Sequence, residues 1–216
     1  MIKLENREVY GWEAAIRGMR NPFNSWDKST SLSVSPEKFW LCSADRQLMQ
    51  NLISAGEPHC KFLRMITVTV DITAPLYWWK EFDTYKVGTV SNSCSTMHSI
   101  HKRDFTLDDF STDHLLPKMK EYMDMTLFTL NAWRRLFNET GDKACWWQII
   151  QLLPSSYNQR RTIQLNYSVL RRMYFDRRNH KLDEWRAFCE WIKTLPCADI
   201  LLTEAKLHEE TSTGNT

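Results

Sequence analysis

Residues 65–72, MITVTVDI, constrain the fold more than any other part of the chain. Apolar and polar positions alternate, and the β-branched side chains suit a pleated, half-buried surface. The run therefore predicts a strand with one face in a core. Ala74-Pro75 follows at once and predicts a helix start, because proline is tolerated in the first helical turn. The body of that helix is LYWWKEFDTY. Residues 87–96 are then rich in glycine, serine and threonine and predict a loop carrying backbone and hydroxyl donors.

Around this centre the remaining elements follow from periodicity and punctuation. A short strand is expected at residues 1–4 and a helix near 12–19. The Ser-, Asn- and Pro-rich stretch 21–36 reads as a surface loop. Ser43 is a helix N-cap with Asp45 in the first turn, and Gly56 stops that helix after Ala55. Residues 115–137 form a long helix, with Leu116, Met119, Met123, Leu127, Leu130 and Leu136 largely at 3.6-residue spacing. A shorter helix at 146–153 ends at Pro154. Residues 161–177 predict another helix, with Asn166 in its interior among apolar neighbours. A helix at 182–195 ends at Pro196, a last turn or two covers 198–207, and the polar tail 209–216 is expected to be mobile. One domain, 1–208, is the expectation at this length.

Composition narrows the function classes. A hydrophobic share of 43% with 25% charged residues is the balance of a soluble globular protein. No run approaches the ~20 apolar residues of a membrane span, and no leader-like segment opens the chain, so a cytoplasmic protein without membrane contact is expected. The six cysteines show no C-x-x-C and no histidine at ligand spacing, which predicts reduced thiols and no metal. Arginine pairs at 160–161, 171–172 and 177–178 would make a partial stripe along one helix. A net charge of +2 argues against a nucleic-acid partner all the same. Of the ten tryptophans, the pairs Trp78-Trp79 and Trp146-Trp147 suit core or interface packing better than a ligand platform.

The order strand, Ala-Pro helix, polar loop, long helix, Leu-Pro turn and Asn-bearing helix resembles the flavin-dependent thymidylate synthases, over roughly residues 58–186. His59 stands at the first His of the family segment H-x-S-x-x-E-H-x-x-F-T-F, with Val68-Thr69-Val70 for F-T-F. The family signature R-H-R-x-x-S-x-N-x-x-S-x-R lays R-H-R on Thr84-Tyr85-Lys86. Its first serine falls on Thr89 or Val90, its Asn on Asn92, its second Ser on Ser95 and its closing Arg on Met97. Leu153-Pro154 is followed at the family spacing by Asn166, and Arg177 stands at a later family Arg. Ser168 and Ile150 occupy two further arginine positions.

The resemblance implies a helix-rich α+β fold with a small antiparallel sheet. It also implies a homotetramer that methylates dUMP with methylenetetrahydrofolate, using FAD as hydride carrier and NADPH as reductant. The nucleotide- or cofactor-binding candidates it yields are Lys86, Asn92, Ser95, Asn166, Arg177, Tyr85 and His59. Arginine grips phosphate oxygens bidentately, so Met97 and Ile150 delete part of the dUMP grip, each loss being worth ~1.5–3 kcal/mol. Thr84 and Tyr85 remove a cationic pair expected near FAD, although Tyr85 retains a ring to stack.

Each candidate also has an ordinary reading. Lys86 fits a solvated lysine, Asn92 and Ser95 fit turn residues, and Asn166 fits a helix-to-helix hydrogen bond. Arg177 fits a cation at a helix C-terminus, and His59, His98 and His101 fit surface or core histidines. Three functions remain in view. One is a nucleotide-binding protein that modifies a pyrimidine nucleotide with flavin and folate. Another is a catalytically inactive, phage-type protein that sequesters a signalling nucleotide, and the last is a nucleic-acid binder.

Overall fold

Alternation in residues 67–75 sets the centre of the architecture: Val68, Val70, Ile72 and Ala74 are wholly buried, while Thr67, Thr69, Asp71 and Thr73 between them are half-buried. The computed structural model describes residues 2–35 and 38–204. The expected mobile tail at 209–216 lies outside the described residues.

In chain order the strands are β1 (Lys3–Tyr10), β2 (Leu32–Ser35), β3 (Lys38–Trp40), β4 (Thr67–Pro75), β5 (Thr89–Ser93) and β6 (Asn158–Asn166). The helices are α1 (Trp12–Arg20), α2 (Ser43–Ser54), α3 (Leu76–Phe82), α4 (Thr96–Ser99), α5 (Pro117–Thr140), α6 (Lys143–Leu152), α7 (Tyr167–Arg177), α8 (Asp183–Ile192) and α9 (Ala198–Leu201). A small antiparallel sheet runs in the order β1-β4-β6-β5, and β2 pairs antiparallel with β3 in a separate hairpin. The result is the helix-rich α+β class expected.

The chain forms two compact units. The first holds the residues up to Arg7, Thr69–Gln164 and Asn179–Phe188; the second holds Glu8–Val68, Leu165–Arg178 and the residues from Cys189 onward.

In the first unit, α3 begins one residue later than the sequence suggests. The residue before a proline is driven to extended geometry, so β4 continues through Ala74 to Pro75, and Pro75 takes the N-cap place. The first free N–H groups of α3 are satisfied from outside the helix: Leu76 donates to the Tyr157 carbonyl and Tyr77 to that of Ser155, both at 3.0 Å. Trp78 and Trp79 then pack with Phe82, Trp185 and Phe188, all essentially without exposure, as a core reading of the tryptophan pair predicts. A second cluster joins Ile100, Phe105, Phe110, Met123, Leu130 and Ile149 beneath α5 and α6. Those two helices form a hairpin: Gly141 (φ 68°) ends α5, and Asp142 caps α6 by accepting from the Ala144 N–H at 2.8 Å.

In the second unit, the 3₁₀ segment Glu57–Met65 packs against α1, α2 and α7. Trp12 stacks on Phe39 at 4.8 Å and meets Tyr167 edge-on at 5.3 Å. The N-cap of α2 is Cys42 rather than Ser43, which is already helical, and Asp45, in the first turn as expected, is a buried hub. Its carboxylate takes Arg20 Nε at 2.5 Å, Ser29 Oγ at 2.7 Å, Ser31 Oγ at 2.6 Å and the Cys42 thiol at 3.1 Å.

Several expected elements change. The stretch read as a loop at 21–36 contains β2, and residues 87–96 contain the edge strand β5. The helix expected at 161–177 is strand to Asn166 and helix only from Tyr167. That split also removes the arginine stripe, because Arg160 and Arg161 lie on β6 while Arg171, Arg172 and Arg177 lie on α7. Among the described residues no helix is long and apolar enough to cross a membrane.

Candidate functional site

The first unit contains a cavity of about 450 Å³. Its floor comes from the sheet, with Thr73 of β4 and Asn158, Gln159 and Arg160 of β6. Its walls come from the chain leaving β5 and from residues 102–109.

The way these walls are fixed is visible bond by bond. Cys94 donates its N–H to the Arg160 carbonyl at 2.9 Å, and Gln159 Nε2 donates to the Cys94 carbonyl at 3.0 Å. The chain therefore stays tied to β6 just past the end of β5. Ser95 caps α4, its Oγ accepting from the His98 N–H at 3.1 Å. The opposite wall is clamped to α5. Asn131 accepts the Phe105 N–H at 2.8 Å and donates to the Phe105 carbonyl at 3.0 Å, closing both backbone groups of one residue. Arg134, nine-tenths buried, donates to the His101 carbonyl at 3.2 Å and to the Asp104 carboxylate.

Charge in the cavity is mixed. Arg103 grips Asp109 with both terminal nitrogens, and Asp109 also accepts from the Thr106 N–H at 2.9 Å in a capping box. Burial acts to raise the Asp109 pKa, but the Arg103 and Thr106 hydrogen bonds outweigh it and hold the carboxyl below its usual range. Arg160 pairs with Asp71 at 2.7 Å. Thr162, Asn6 and Arg160 together bring Asp71 down to about 2. Tyr157 lies against Phe105 and Phe110, and burial raises its phenol.

Of the seven sequence candidates, Ser95 lines this cavity. Lys86 and Asn92 are exposed in the same unit and are not among its lining residues. Tyr85 is 8% exposed with its ring edge-on to Trp185 at 6.0 Å, so its face is spent on packing. The other three belong to the second unit. His59 is exposed at a separate cavity of about 410 Å³ lined by Phe23, Phe62 and Met65. Asn166 is not inside a helix but is the N-cap of α7, its Oδ1 accepting from the Val169 N–H at 3.0 Å. Arg177 is half-buried in the last turn of α7.

The positions where the resemblance expects arginine are also accounted for. Thr84 turns its hydroxyl onto the Glu81 carbonyl at 2.7 Å, Ile150 packs on the cluster beneath α5, and Met97 is 48% exposed on α4. Sequence reasoning missed Lys102, Arg103, Asp108, Asp109 and Tyr157. The signal was present in K-R-D-F-T-L-D-D, where both signs of charge flank a T-x-x-D capping box. Among the described residues no three His, Cys, Asp or Glu side chains gather as metal ligands would.

No family model matches the chain, and no curated protein sequence does either. Solved structures do match. A crystal structure of thymidylate synthase X from Helicobacter pylori with FAD and dUMP superposes with a TM-score of 0.68 at 14% identity, covering 94% of this chain and 96% of that one. A second structure of the flavin-dependent enzyme from the same organism, complexed with FAD and dUMP, gives 0.65 at 14% identity over 93% and 96%. At this identity the likeness is one of fold, and it agrees with the order of elements traced above: the chain carries the fold of the flavin-dependent thymidylate synthases in a strongly diverged sequence.

Proposed function

We propose that this protein binds a nucleotide on a flavin-dependent thymidylate synthase scaffold. The observation that carries the reading is the 450 Å³ cavity, where cations, hydroxyls and an aromatic wall converge beside the segment that includes Ser95. Small-molecule sites have this size and this mixture of apolar wall and few polar anchors. The Helicobacter pylori proteins of the same fold hold FAD and dUMP. Arg160, on the cavity floor, is taken up by Asp71 and Glu5, so Lys102 on the wall is the cation best placed to take over anion binding lost at Met97 and Ile150.

Binding without methyl transfer is the form of this function that the residues favour. A flavin held in the family manner needs the cationic pair that Thr84 and Tyr85 replace. Thr84 is bonded to its own helix and Tyr85 is buried against Trp185. The residues present do not fit that grip. A protein that sequesters a signalling nucleotide fits them better than one that modifies a pyrimidine with flavin and folate. Six free thiols, four of them buried, fit a reducing cytoplasmic setting.

Self-association belongs to the same reading. Tyr122, Met125 and Phe128 lie on one side of α5 at 57–72% exposure, an apolar patch that a second copy would cover, as a tetramer of the family type requires. Calorimetry of the full chain against mono-, di- and cyclic nucleotides tests the central claim, and absence of heat from every one of them would sink it. Flavin absorbance in the purified protein would instead refute the non-catalytic form.

A further inference from the structure

Six charged side chains line the cavity of the first unit, and four of them are already neutralised within the protein. Arg103 and Asp109 hold each other, Asp104 is held by Arg134, and Arg160 is held by Asp71 and, at 3.5 Å, by Glu5. Lys102 and Asp108 remain. Both are exposed, and neither side chain has a hydrogen bond or ion pair with another described residue. The cavity thus offers one ammonium and one carboxylate that a ligand can engage without breaking an existing pair.

We propose that this cavity selects a guanine mononucleotide: the Lys102 ammonium meets phosphate oxygens, and the Asp108 carboxylate accepts from N1–H and the exocyclic amino group of the base. The inference rests on the nucleotide-binding reading above and names its ligand.

The base follows from donor and acceptor chemistry. An ionised carboxylate only accepts, and its two oxygens match two adjacent donors. Guanine presents such a pair, N1–H beside N2–H₂, on its Watson–Crick edge. Adenine and cytosine present one amino donor beside a ring nitrogen that also accepts, so the second carboxylate oxygen meets a lone pair. Uracil presents a single N3–H flanked by two carbonyl oxygens, both repelled by the carboxylate. Discrimination at an exposed carboxylate is moderate, because with the wrong base Asp108 returns to water instead of being stranded, so the preference comes from the two charge-assisted hydrogen bonds that guanine alone completes.

The rest of the cavity suits a nucleotide with such a base. Tyr157 and Phe105 supply an aromatic wall on which a purine can lie. Lys102 acts as a compact charge for phosphate, tolerant of its exact orientation. The wall that carries both groups is held to α5 through Asn131 and Arg134 before any ligand arrives, which limits the ordering needed on binding.

The test is calorimetry of the full chain with GMP, IMP, AMP, CMP and UMP. GMP should bind most tightly. IMP, which lacks only the exocyclic amino group, should bind about ten-fold more weakly, and UMP more weakly still. Asp108→Asn should erase the preference for GMP over IMP while leaving binding of the phosphate. Lys102→Gln should weaken all five alike and flatten the salt dependence. Both positions are exposed, so the variants should melt with the parent protein. UMP binding as tightly as GMP, or a GMP preference that survives Asp108→Asn, overturns the proposal. Silence from all five mononucleotides with heat from a di- or cyclic nucleotide overturns this inference alone, whereas silence from those as well overturns the parent reading with it.

Discussion

Removing the guanidinium from the buried hub of the second unit should cost stability in a pH-dependent way. Arg20 and Asp45 have side-chain exposures of 4% and 0% and meet at 2.5 Å. Arg20→Met keeps the aliphatic volume but leaves a buried carboxylate without its counter-ion. Breaking one partner of such a pair costs about 3–5 kcal/mol. Ser29, Ser31 and Cys42 still donate to Asp45, so the lower end, ~3 kcal/mol at pH 7, is the expected figure. For a chain of this size that corresponds to roughly 6–12 °C in Tm.

The pH dependence sharpens the prediction. In the parent protein burial acts to raise the Asp45 pKa, but bonds from Ser31, Ser29, Cys42 and Arg20 overcome it and lower the value. A carboxyl depressed in the folded state contributes stability above its unfolded pKa and loses it as pH falls through the folded one. Without Arg20 the burial penalty gains weight and the folded pKa rises. Protonation then relieves the variant, while it strands Arg20 in the parent. The stability gap should therefore shrink between pH 7 and pH 4. Urea denaturation followed by circular dichroism at both values measures it. A gap under about 1 kcal/mol at pH 7, or one equal at both pH values, would refute the hub as an electrostatic unit.

Three further outcomes are expected. Asp71→Asn should lose ~2 kcal/mol at pH 7, because a carboxyl held near 2 stabilises the fold above about pH 4; the deficit should vanish on acidification to pH 2, as acid-titrated denaturation will show. Gly11→Ala should destabilise by at least ~2 kcal/mol, since its φ is 91° and a Cβ there would stand 2.0 Å from the Met65 carbonyl oxygen, and an unchanged melting curve would contradict this. Phe128→Glu, at a position 72% exposed, should leave monomer stability within ~0.5 kcal/mol yet lower the mass seen by light scattering; an unchanged assembly would remove α5 from the interface.

Where the sequence was legible, one physical rule dominated its neighbourhood. β4 is buried on one face, so its alternation is plain, and α5 shows a repeat because one side buries its own Met123 and Leu130 in the cluster with Phe105, Phe110 and Ile149. β5 was invisible for the opposite reason: it is an edge strand whose residues are nearly all exposed, so no face is selected for apolar side chains. At β6 and α7 two periods abut. Ile163, Leu165 and Tyr167 alternate, then Leu170 and Met173 follow helical spacing, and Asn166 marks the change as an N-cap. A helix drawn through all of them averages over the junction. The resemblance located Ser95 at the cavity but could not supply the 102–109 wall, which no signature position covers. Tyr85 was expected to offer a ring, and only tertiary packing reveals that Trp185 already claims it.

The chain passes between the two units after Arg7, Val68, Gln164, Arg178 and Phe188. These passages fall inside β1, β4, β6 and α8 as well as at the end of α7, so neither unit is a continuous stretch of polypeptide. No single cleavage releases either one whole, and neither can be lost, duplicated or exchanged as a segment of gene. Closing them requires contacts between residues far apart in sequence, which makes folding slow relative to a helical bundle of similar length. A cut in the exposed turn around Lys86 would accordingly leave two pieces that each carry parts of both units and depend on one another to stay folded.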